Sequence, residues 1–536
     1  MRSPPLLRRV LPVTVSIASS FLLALSWIWP SLWWTIWIGF SLLFVLATQA
    51  SSPKRAFLAG AGMGAGAIAI AFHWAPAALG FSFDIGPVIT WPLFAVMVAW
   101  EAVPFGVLAW TAARQLAAGA GWLWGVPAVW VSMEYAWPRV FPWNVAHSQT
   151  DFLTLVQLAE VAGAAGVSFC VMLVAIIPAA LVRNATRAPV GARGTALVWH
   201  SAIALALLAG VLVFGHQRRS HWVQAAASAP SIRVALVQVE PGYVDSLAKM
   251  RDRSAAISRR PDLLCWPESS LGTYCFDLPG FEDEAQTAQM SMPPAKDLQP
   301  TAGVTCELLA GGMSFEWGAT DEGPFFQTAF LVRPDQTIAA RYLKQSLMPI
   351  GEYIPGQNLV PGLRQAANLD EIVTAGSDAS PLVLAGGQRI GVLMCYEDMV
   401  PQNARQSVAE GAQALVCLAN GSAFENPVAL EQHLRLGLLR SVENRRYLAR
   451  CTATGVTCVV TAVGEVAERV EPGDEATLEA DLPLLDSLTV YNRGGFLFGP
   501  GCLVAAVVLI LRDAVRGYCG TRDRRSQAGI STTKSR

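Results

Sequence analysis

The sequence predicts a multi-pass helical membrane domain joined to an α/β sandwich of two sheets with outer helices, and three observations predict it. Apolar residues make up 53% of the 536-residue chain and charged residues only 15%, too apolar for an ordinary soluble protein. The apolar excess fills residues 1–215 and one late segment, while 231–485 has ordinary globular composition. Within 231–485, short apolar runs alternate with helical stretches and hairpins, the pattern of layered sheets covered by helices. The 18 tryptophans crowd the ends of the apolar runs, as interfacial belts do. A net charge of −1 gives no argument for a nucleic-acid partner.

Arg2, Arg8 and Arg9 precede the first apolar run, 10–28. No small-residue cleavage site precedes the next run, so it reads as a retained helix rather than a removed leader. Further spans are expected at 32–48, 57–79, 87–112, 122–137, 153–181 and 196–214, and a closing one at 496–511. Each has about the length of a bilayer crossing, roughly 20 residues. In the third, Gly60, Gly62, Gly64 and Gly66 allow tight helix contact.

If every span crosses, the N-terminal arginines, Lys54, Arg55, Arg114, Arg183, Arg187, Arg193 and the tail after Arg512 share one side. That basic side is expected to be cytoplasmic. Arg139, Arg218 and Arg219 fall on the other, and the last two argue weakly against the assignment. The expected organisation is a seven-helix transmembrane domain (1–222), an extracytoplasmic catalytic domain (231–485), and a C-terminal transmembrane helix with a basic cytoplasmic tail (490–536). Glu101, Glu134 and Glu160 lie in or beside spans, where carboxylates are costly and often functional. Glu134 and Glu160 are also near enough to span ends to reach the interface, so both readings stay open.

Strands are expected at 232–239, 308–314, 328–332, 338–343, 390–394, 414–418, 448–452 and 456–462, with a further one ending near Trp266. Helices are expected at 245–258, 401–410 and 430–443, and Arg333-Pro-Asp-Gln336 reverses a hairpin. The irregular stretches 272–300 and 356–381 are either surface loops or lids. Phe276, Leu278, Phe281, Met290, Leu359 and Leu363 would be their lipid-dipping residues. The ten cysteines include no CxxC pair and no Cys/His cluster with zinc spacing. Pairing of Cys265 with Cys275 or Cys306 is possible; the alternative is that they are small core residues.

The chemistry centres on three strand ends. Ile390–Met394 delivers Cys395, followed by Tyr396, Glu397 and Asp398. The run before Trp266-Pro-Glu268 ends on an acid, and 338–343 ends on Lys344. A thiol, a carboxylate and an amine make a nucleophile, a base and a cationic stabiliser. Glu268 would take the proton. Lys344 would lower the thiol pKa and stabilise the oxyanion formed when Cys395 attacks a carbonyl. Glu352 and Glu397 would orient the lysine or tune the base, with Tyr396 beside them. Read from composition alone, a cysteine at a strand end is also simply a buried filler.

Trp266-Pro-Glu268, Tyr342-Leu-Lys344 running to Pro349-Ile-Gly-Glu-Tyr353, and Cys395-Tyr-Glu397 resemble, in order and spacing, the Glu-Lys-Cys motifs of the nitrilase (carbon-nitrogen hydrolase) superfamily. The Pro-x-Gly-Glu-Tyr and Cys-Tyr-Glu forms look most like its membrane branch, apolipoprotein N-acyltransferase. Phe141-Pro-Trp143, Ser148-Gln149, Gln157-Leu-Ala159 and Gly163-Ala-Ala-Gly-Val-Ser-Phe169 resemble that branch's signature between its fifth and sixth helices. The resemblance implies a nitrilase-like αββα sandwich tied to the bacterial inner membrane and facing the periplasm. It also implies a ping-pong reaction without cofactor or metal. Cys395 would take an acyl chain from a phospholipid as a thioester and pass it to the α-amino group of the S-diacylglyceryl cysteine of a lipoprotein. The chain would act as a monomer, with the bilayer and these two lipids as its partners.

Four stretches depart from the family pattern: Gln345-Ser-Leu-Met-Pro349, Asn420-Gly-Ser-Ala-Phe424, Ala136-Trp-Pro138 and Arg450-Cys-Thr-Ala-Thr-Gly455. None touches Glu268, Lys344 or Cys395; they bear on the acceptor pocket. Two other function classes stay open: a membrane-tethered amidase or amide synthase using the same trio, and a noncatalytic membrane scaffold.

Overall fold

The computed structural model describes residues 5–118, 122–187, 192–240, 245–271, 305–315, 325–335, 337–357, 373–424 and 426–512. The helical half runs α1 (Pro5–Ile28), α2 (Thr35–Gln49), α3 (Pro53–Ala71), α4 (Ala75–Phe83), α5 (Pro87–Ala118), α6 (Trp122–Ala136), α7 (Leu153–Val156), α8 (Ala159–Ala175), α9 (Ile177–Arg187) and α10 (Ala192–Ser228). Ser52 caps α3, its side chain accepting from the Arg55 amide, with Pro53 as the first helical residue. On α3, a Cβ at Gly60 would lie 2.5 Å from Ala109 Cβ, and one at Gly64 2.6 Å from the Phe105 ring. Those two glycines let α3 press against α5. Gly66 faces Ser20, whereas Gly62 has no neighbour within 4 Å of its Cβ position.

Every apolar run expected before the sandwich falls on helix, but not as seven uniform crossings. Among the described residues, five helices are long and apolar enough to span a bilayer, or six if a bent pair counts as one. The third expected span is that pair, α3 and α4, bent by 58°. The sixth is interrupted between α7 and α8 and again at Gly163, whose φ of +64° breaks the helical path. The seventh belongs to a 37-residue helix, α10, that continues well past the expected end at 214.

The sandwich contains two six-stranded sheets. The first has the order β12-β1-β2-β3-β4-β5, from β1 (Ser231–Gln238), β2 (Leu263–Trp266), β3 (Glu307–Phe315), β4 (Phe325–Val332), β5 (Ile338–Leu343) and β12 (Ala476–Pro483). The second has the order β11-β10-β9-β8-β7-β6, from β6 (Leu382–Val383), β7 (Arg389–Met394), β8 (Ala414–Ala419), β9 (Leu448–Thr452), β10 (Thr457–Val460) and β11 (Val466–Val470). β6, β11 and β12 were not expected. All three are edge strands, half solvated and so without the apolar runs that mark central strands. Val234, Leu236, Cys265, Val392, Met394 and Val416 interlock between the sheets. Helix α11 (Asp245–Ala255) lies over the first sheet, and α12 (Pro401–Ala409) and α13 (Pro427–Asn444) over the second.

Helix α13 joins the halves. Leu434 and Leu438 pack on the second sheet, while Leu436, Leu439 and Val442 belong to the core of the helical half. Its polar residues cap membrane helices: Gln432 Nε2 donates to the Ala71 (2.9 Å) and Trp27 (3.3 Å) carbonyls, and Arg435 Nη1 to that of Ser26 (2.8 Å). Those carbonyls lie in the last turns of α1 and α3, where helical partners run out. After α14 (Val490–Arg493) the closing apolar segment is α15 (Gly495–Arg512). Cys265 and Cys306 are both free thiols. Cys275, the loop 272–300 with its four apolar residues, Leu359 and Leu363 lie outside the described residues, as does the tail after Arg512.

Candidate active site

Three chain ends converge where the strands of both sheets finish. β2 is fully buried and runs parallel to β1 and β3, so Pro267 and Glu268 emerge at its C-terminal end. The turn is pressed on β3: a Cβ at Gly311 would sit 2.6 Å from Glu268 Cα, so only glycine admits this approach. β5 ends at Leu343, and the Lys344 amide donates to the Gln327 carbonyl (2.9 Å) to hold the lysine against β4. β7 ends at Met394. Cys395 follows in a left-handed conformation, φ +48°, at the head of the 3₁₀ turn Cys395–Met399 that leads into α12. A non-glycine residue held there stores about 1–3 kcal/mol of strain, and such strands-to-turn corners commonly present nucleophiles.

Lys344 Nζ donates to Glu268 Oε1 (3.2 Å) and to Glu352 Oε1 (2.6 Å). Lysine and both carboxylates are largely out of solvent, the lysine side chain being 1% exposed. The Asn420 amide donates to Glu268 Oε2 (3.1 Å), and the Asn420 carbonyl lies 4.0 Å from Cys395 Sγ. Burial alone would lower the Lys344 pKa. Glu268, Glu352 and Cys395 outweigh it and hold the ammonium well above its ordinary value. Lys344 acts to lower the thiol pKa, as expected, but does not set the net direction. Burial and the negative Glu268 push the Cys395 pKa up, and Lys344 offsets only part of this.

Glu352 does more than pair. Its Oε2 accepts from the Met348 amide (2.7 Å), tying the lysine to the turn 348–353. Glu397 is fully buried and bridges two segments. It accepts from the Met394 amide (2.8 Å) ahead of the cysteine, and from the Gln345 (2.6 Å) and Ser346 (3.0 Å) amides after the lysine. The Tyr342 hydroxyl and Asn403 Nδ2 complete its shell. The Tyr396 hydroxyl donates to the Val140 carbonyl of the helical half (2.9 Å). Lys344 thus meets Glu268 and Glu352 directly, Asn420 contacts both Glu268 and Cys395, Glu397 ties the lysine and cysteine segments, and Tyr396 turns to the helical half.

Sequence reasoning missed the other side of the cysteine turn. Asp398 meets Arg450 Nε at 2.9 Å and His433 Nε2 at 3.3 Å, with Cys417 Sγ at 3.5 Å. Burial favours the neutral acid, but His433 and Arg450 override it and hold Asp398 down at about 2. The adjacency of Asp398 to Glu397 was the only signal. The membrane carboxylates also resolve. Glu101 Oε2 pairs with Arg139 Nε (3.1 Å), Glu134 Oε1 accepts from the Trp130 indole and the Val145 amide, and Glu160 Oε2 meets Arg218 Nε (2.9 Å) and Arg445 Nη2 (2.8 Å). Of the three, Glu160 reaches across to the sandwich half through Arg445, while Glu101 and Glu134 bind within the helical half.

Two family models match the chain. Residues 19–177 match the apolipoprotein N-acyltransferase N-terminal domain, and residues 233–488 match the carbon-nitrogen hydrolase family. Apolipoprotein N-acyltransferase of Geobacter metallireducens is 28% identical over 516 residues, 92% of this chain and 94% of the relative. The protein of the same name from Chromobacterium violaceum is 28% identical over 485 residues, 85% and 86% of the two chains. Among solved structures, an amidase from Nesterenkonia sp. is 21% identical, with 49% of this chain and 92% of that chain covered, at a TM-score of 0.34.

Proposed function

Because the chain belongs to the apolipoprotein N-acyltransferase family, the membrane branch of the carbon-nitrogen hydrolases, we propose that it transfers an acyl chain from a phospholipid to the N-terminal amine of a diacylglyceryl lipoprotein. Cys395, Glu268 and Lys344 are the catalytic residues in this reading. The single observation that carries it is their meeting in one buried cluster, one residue away from a direct hydrogen bond into the membrane half.

The steps follow from the geometry. Glu268 takes the thiol proton as Cys395 attacks the ester carbonyl of the donor. Lys344 stands beside the developing oxyanion, where a charge in a dry site acts most strongly. Collapse breaks the ester C–O bond, and Glu268 returns the proton to the departing lysophospholipid alkoxide. A Cys395 thioester remains. The lipoprotein amine then attacks it, Glu268 takes the ammonium proton, and the thiol leaves with that proton restored as the amide forms. One difficult acyl transfer becomes two easier ones. Glu352 and Glu397 are positioning residues that fix the lysine relative to the cysteine turn.

The organisation expected from the sequence, a membrane domain over 1–222, a catalytic domain over 231–485 and a closing helix with a basic tail over 490–536, suits this reaction because both substrates are lipids. We place the catalytic domain on the periplasmic side of a bacterial inner membrane. The pairing of Arg218 with Glu160 and of Arg219 with Glu465 supports that side, since it gives both arginines a role apart from topology. One chain supplies every catalytic group, so a monomer suffices.

The test is the intact mass of detergent-purified protein after incubation with a defined phospholipid, with Cys395→Ser alongside. Gain of one acyl chain on the native protein alone, released by hydroxylamine and passed to a synthetic S-diacylglyceryl cysteine peptide, supports the reading. An adduct lost to water and never to the peptide means a tethered amidase. No adduct with intact lipid means that the trio does not use phospholipid.

A further inference from the structure

The helical half carries a groove that no step of the proposed reaction uses. Its volume is about 490 Å³, and it lies between Leu158 and Val161, at the start of α8, and Ile203, Leu207, Val211 and Phe214 on one face of α10. Every residue lining it is apolar or glycine. Gly210 is part of the wall and exposed, and a Cβ there would meet nothing within 4 Å. From Ile203 to Phe214 the helix rises roughly 16 Å at 1.5 Å per residue. That is near half of a hydrocarbon core roughly 30 Å thick, the depth of one leaflet.

The face of α10 that lines the groove changes character at one end. Helical spacing carries it from Val211 and Phe214 to Gln217, Arg218 and His221. Arg218 donates through Nε and Nη2 to Glu160 in the first turn of α8, and its guanidinium lies 5.4 Å from the Trp222 ring centre. Arg445, just past α13, meets the same carboxylate at 2.8 Å. Two guanidiniums against one carboxylate leave one unit of positive charge. The Arg445 side chain is fully buried and that of Arg218 is 30% exposed, so the excess faces outward at Arg218. α10 leads directly into β1, so this end of the groove is on the sandwich side.

We propose that this groove binds an anionic phospholipid from the leaflet on the sandwich side, with one acyl chain along α10 and the phosphate on Arg218. The lipid is a resident ligand and not the acyl donor, and the site does not rest on the acyltransferase reading. An apolar trough one leaflet deep, ending in a cationic side chain, matches a tail followed by a phosphate. Arg218 is held in place by Glu160 and Trp222, so little order is lost when it makes charge-assisted bonds to phosphate oxygens. A zwitterionic lipid brings its own ammonium and leaves the excess charge uncancelled, whereas a lipid of net negative charge cancels it. Seated there, the lipid fills the gap between α8 and α10 beside the Glu160–Arg445 link, and so steadies the contact between the two halves.

The experiment is native mass spectrometry of the full-length protein in detergent, carrying Cys395→Ser so that every lipid adduct is noncovalent. Dioleoyl phosphatidylglycerol and dioleoyl phosphatidylethanolamine are offered together in equal amounts. Gly210→Leu fills the groove, and Arg218→Gln removes its charge. Gly62→Leu adds the same bulk at an open, exposed position on α3 and is the control. The site predicts one retained phosphatidylglycerol, favoured over phosphatidylethanolamine by about tenfold. Arg218→Gln abolishes that preference, Gly210→Leu lowers retention of both lipids by about tenfold, and Gly62→Leu changes neither. Equal retention of the two lipids by the parent protein, or undiminished retention in Gly210→Leu, overturns the proposal. A dimer that Gly210→Leu dissociates also overturns it, because the groove would then hold a second copy of the chain. If Arg218→Gln fails to fold, Gly210→Leu decides, since its added side chain enters open space. Absence of acyl transfer by the native protein with this retention intact refutes the acyltransferase reading alone and leaves the lipid site standing.

Discussion

On one side of the cysteine turn Glu397 accepts from five donors that carry no charge; on the other its neighbour Asp398 faces Arg450 and His433. Both carboxylates are fully buried. Burial raises the Glu397 pKa, and the Ser346, Met394 and Gln345 amides recover only part of the loss. Asp398, with two basic partners, is held at about 2. At Glu397 the uncharged donors do not offset burial, whereas at Asp398 the charged partners do. The difference matches the roles of the two sides. Glu397 ties the lysine segment to the cysteine, where relative placement is what matters, and Asp398 fastens the turn to β9 and α13, where rigidity is.

The comparison implies that chemistry and stability are separable across this turn. The largest effect falls on chemistry. Cys395→Ala and Lys344→Ala lower acyl transfer by about 10⁴-fold or more, while circular dichroism and thermal unfolding in detergent stay near native for the cysteine variant. Full activity in Cys395→Ala ends the mechanism. Next, Asp398→Asn costs about 3–5 kcal/mol, because it leaves Arg450 buried without its anion. The sign of the acid dependence follows. A carboxylate with a depressed folded pKa contributes stability above its unfolded value near 4, and loses it as pH falls through about 2. That contribution is about 2 kcal/mol, and acid titration of unfolding shows it in the native protein and not in Asp398→Asn.

Glu397→Gln should lose less stability than Asp398→Asn and more catalysis. The amide presents N–H groups to the Gln345, Ser346 and Asn403 donors, which costs about 1–3 kcal/mol. The lysine segment then loosens from the cysteine turn. Stopped-flow measurement of thioester formation against unfolding free energy separates the two variants. A larger stability loss in Glu397→Gln than in Asp398→Asn breaks the comparison.

The trio was legible because strand ends, apolar runs and family-like motifs all fell on the same residues. Central strands announced themselves for the same reason: β8, and β7 from Ile390 on, are buried on both faces and read as continuous apolar runs. The edge strands β6, β11 and β12 did not, since solvent accepts their polar faces. Nor did the bend at Phe72–Trp74, because hydropathy records composition along a span and not its direction. The ionic contacts were hidden for a third reason. Asp398 and Arg450 are 52 residues apart, and Glu160 and Arg445 are 285 apart; no periodicity links such pairs. Gln432 reads in sequence as an ordinary helix polar residue, and only its burial against α1 and α3 makes it a cap.

The smallest prediction tests the stabilising side of the turn most finely. Cys417 lies in β8, fully buried, with its thiol 3.5 Å from Asp398 Oδ2. Burial and the Asp398 charge keep that thiol well above its ordinary pKa, so it serves as a weak neutral donor and not as a second nucleophile. Cys417→Ala removes the donor and leaves a small void, costing about 1 kcal/mol. Arg450 and His433 still hold Asp398, so acyl transfer proceeds at the native rate. A rate loss in Cys417→Ala larger than its stability loss would mean that the Asp398 side feeds into the chemistry, and the separation of the two sides would not stand.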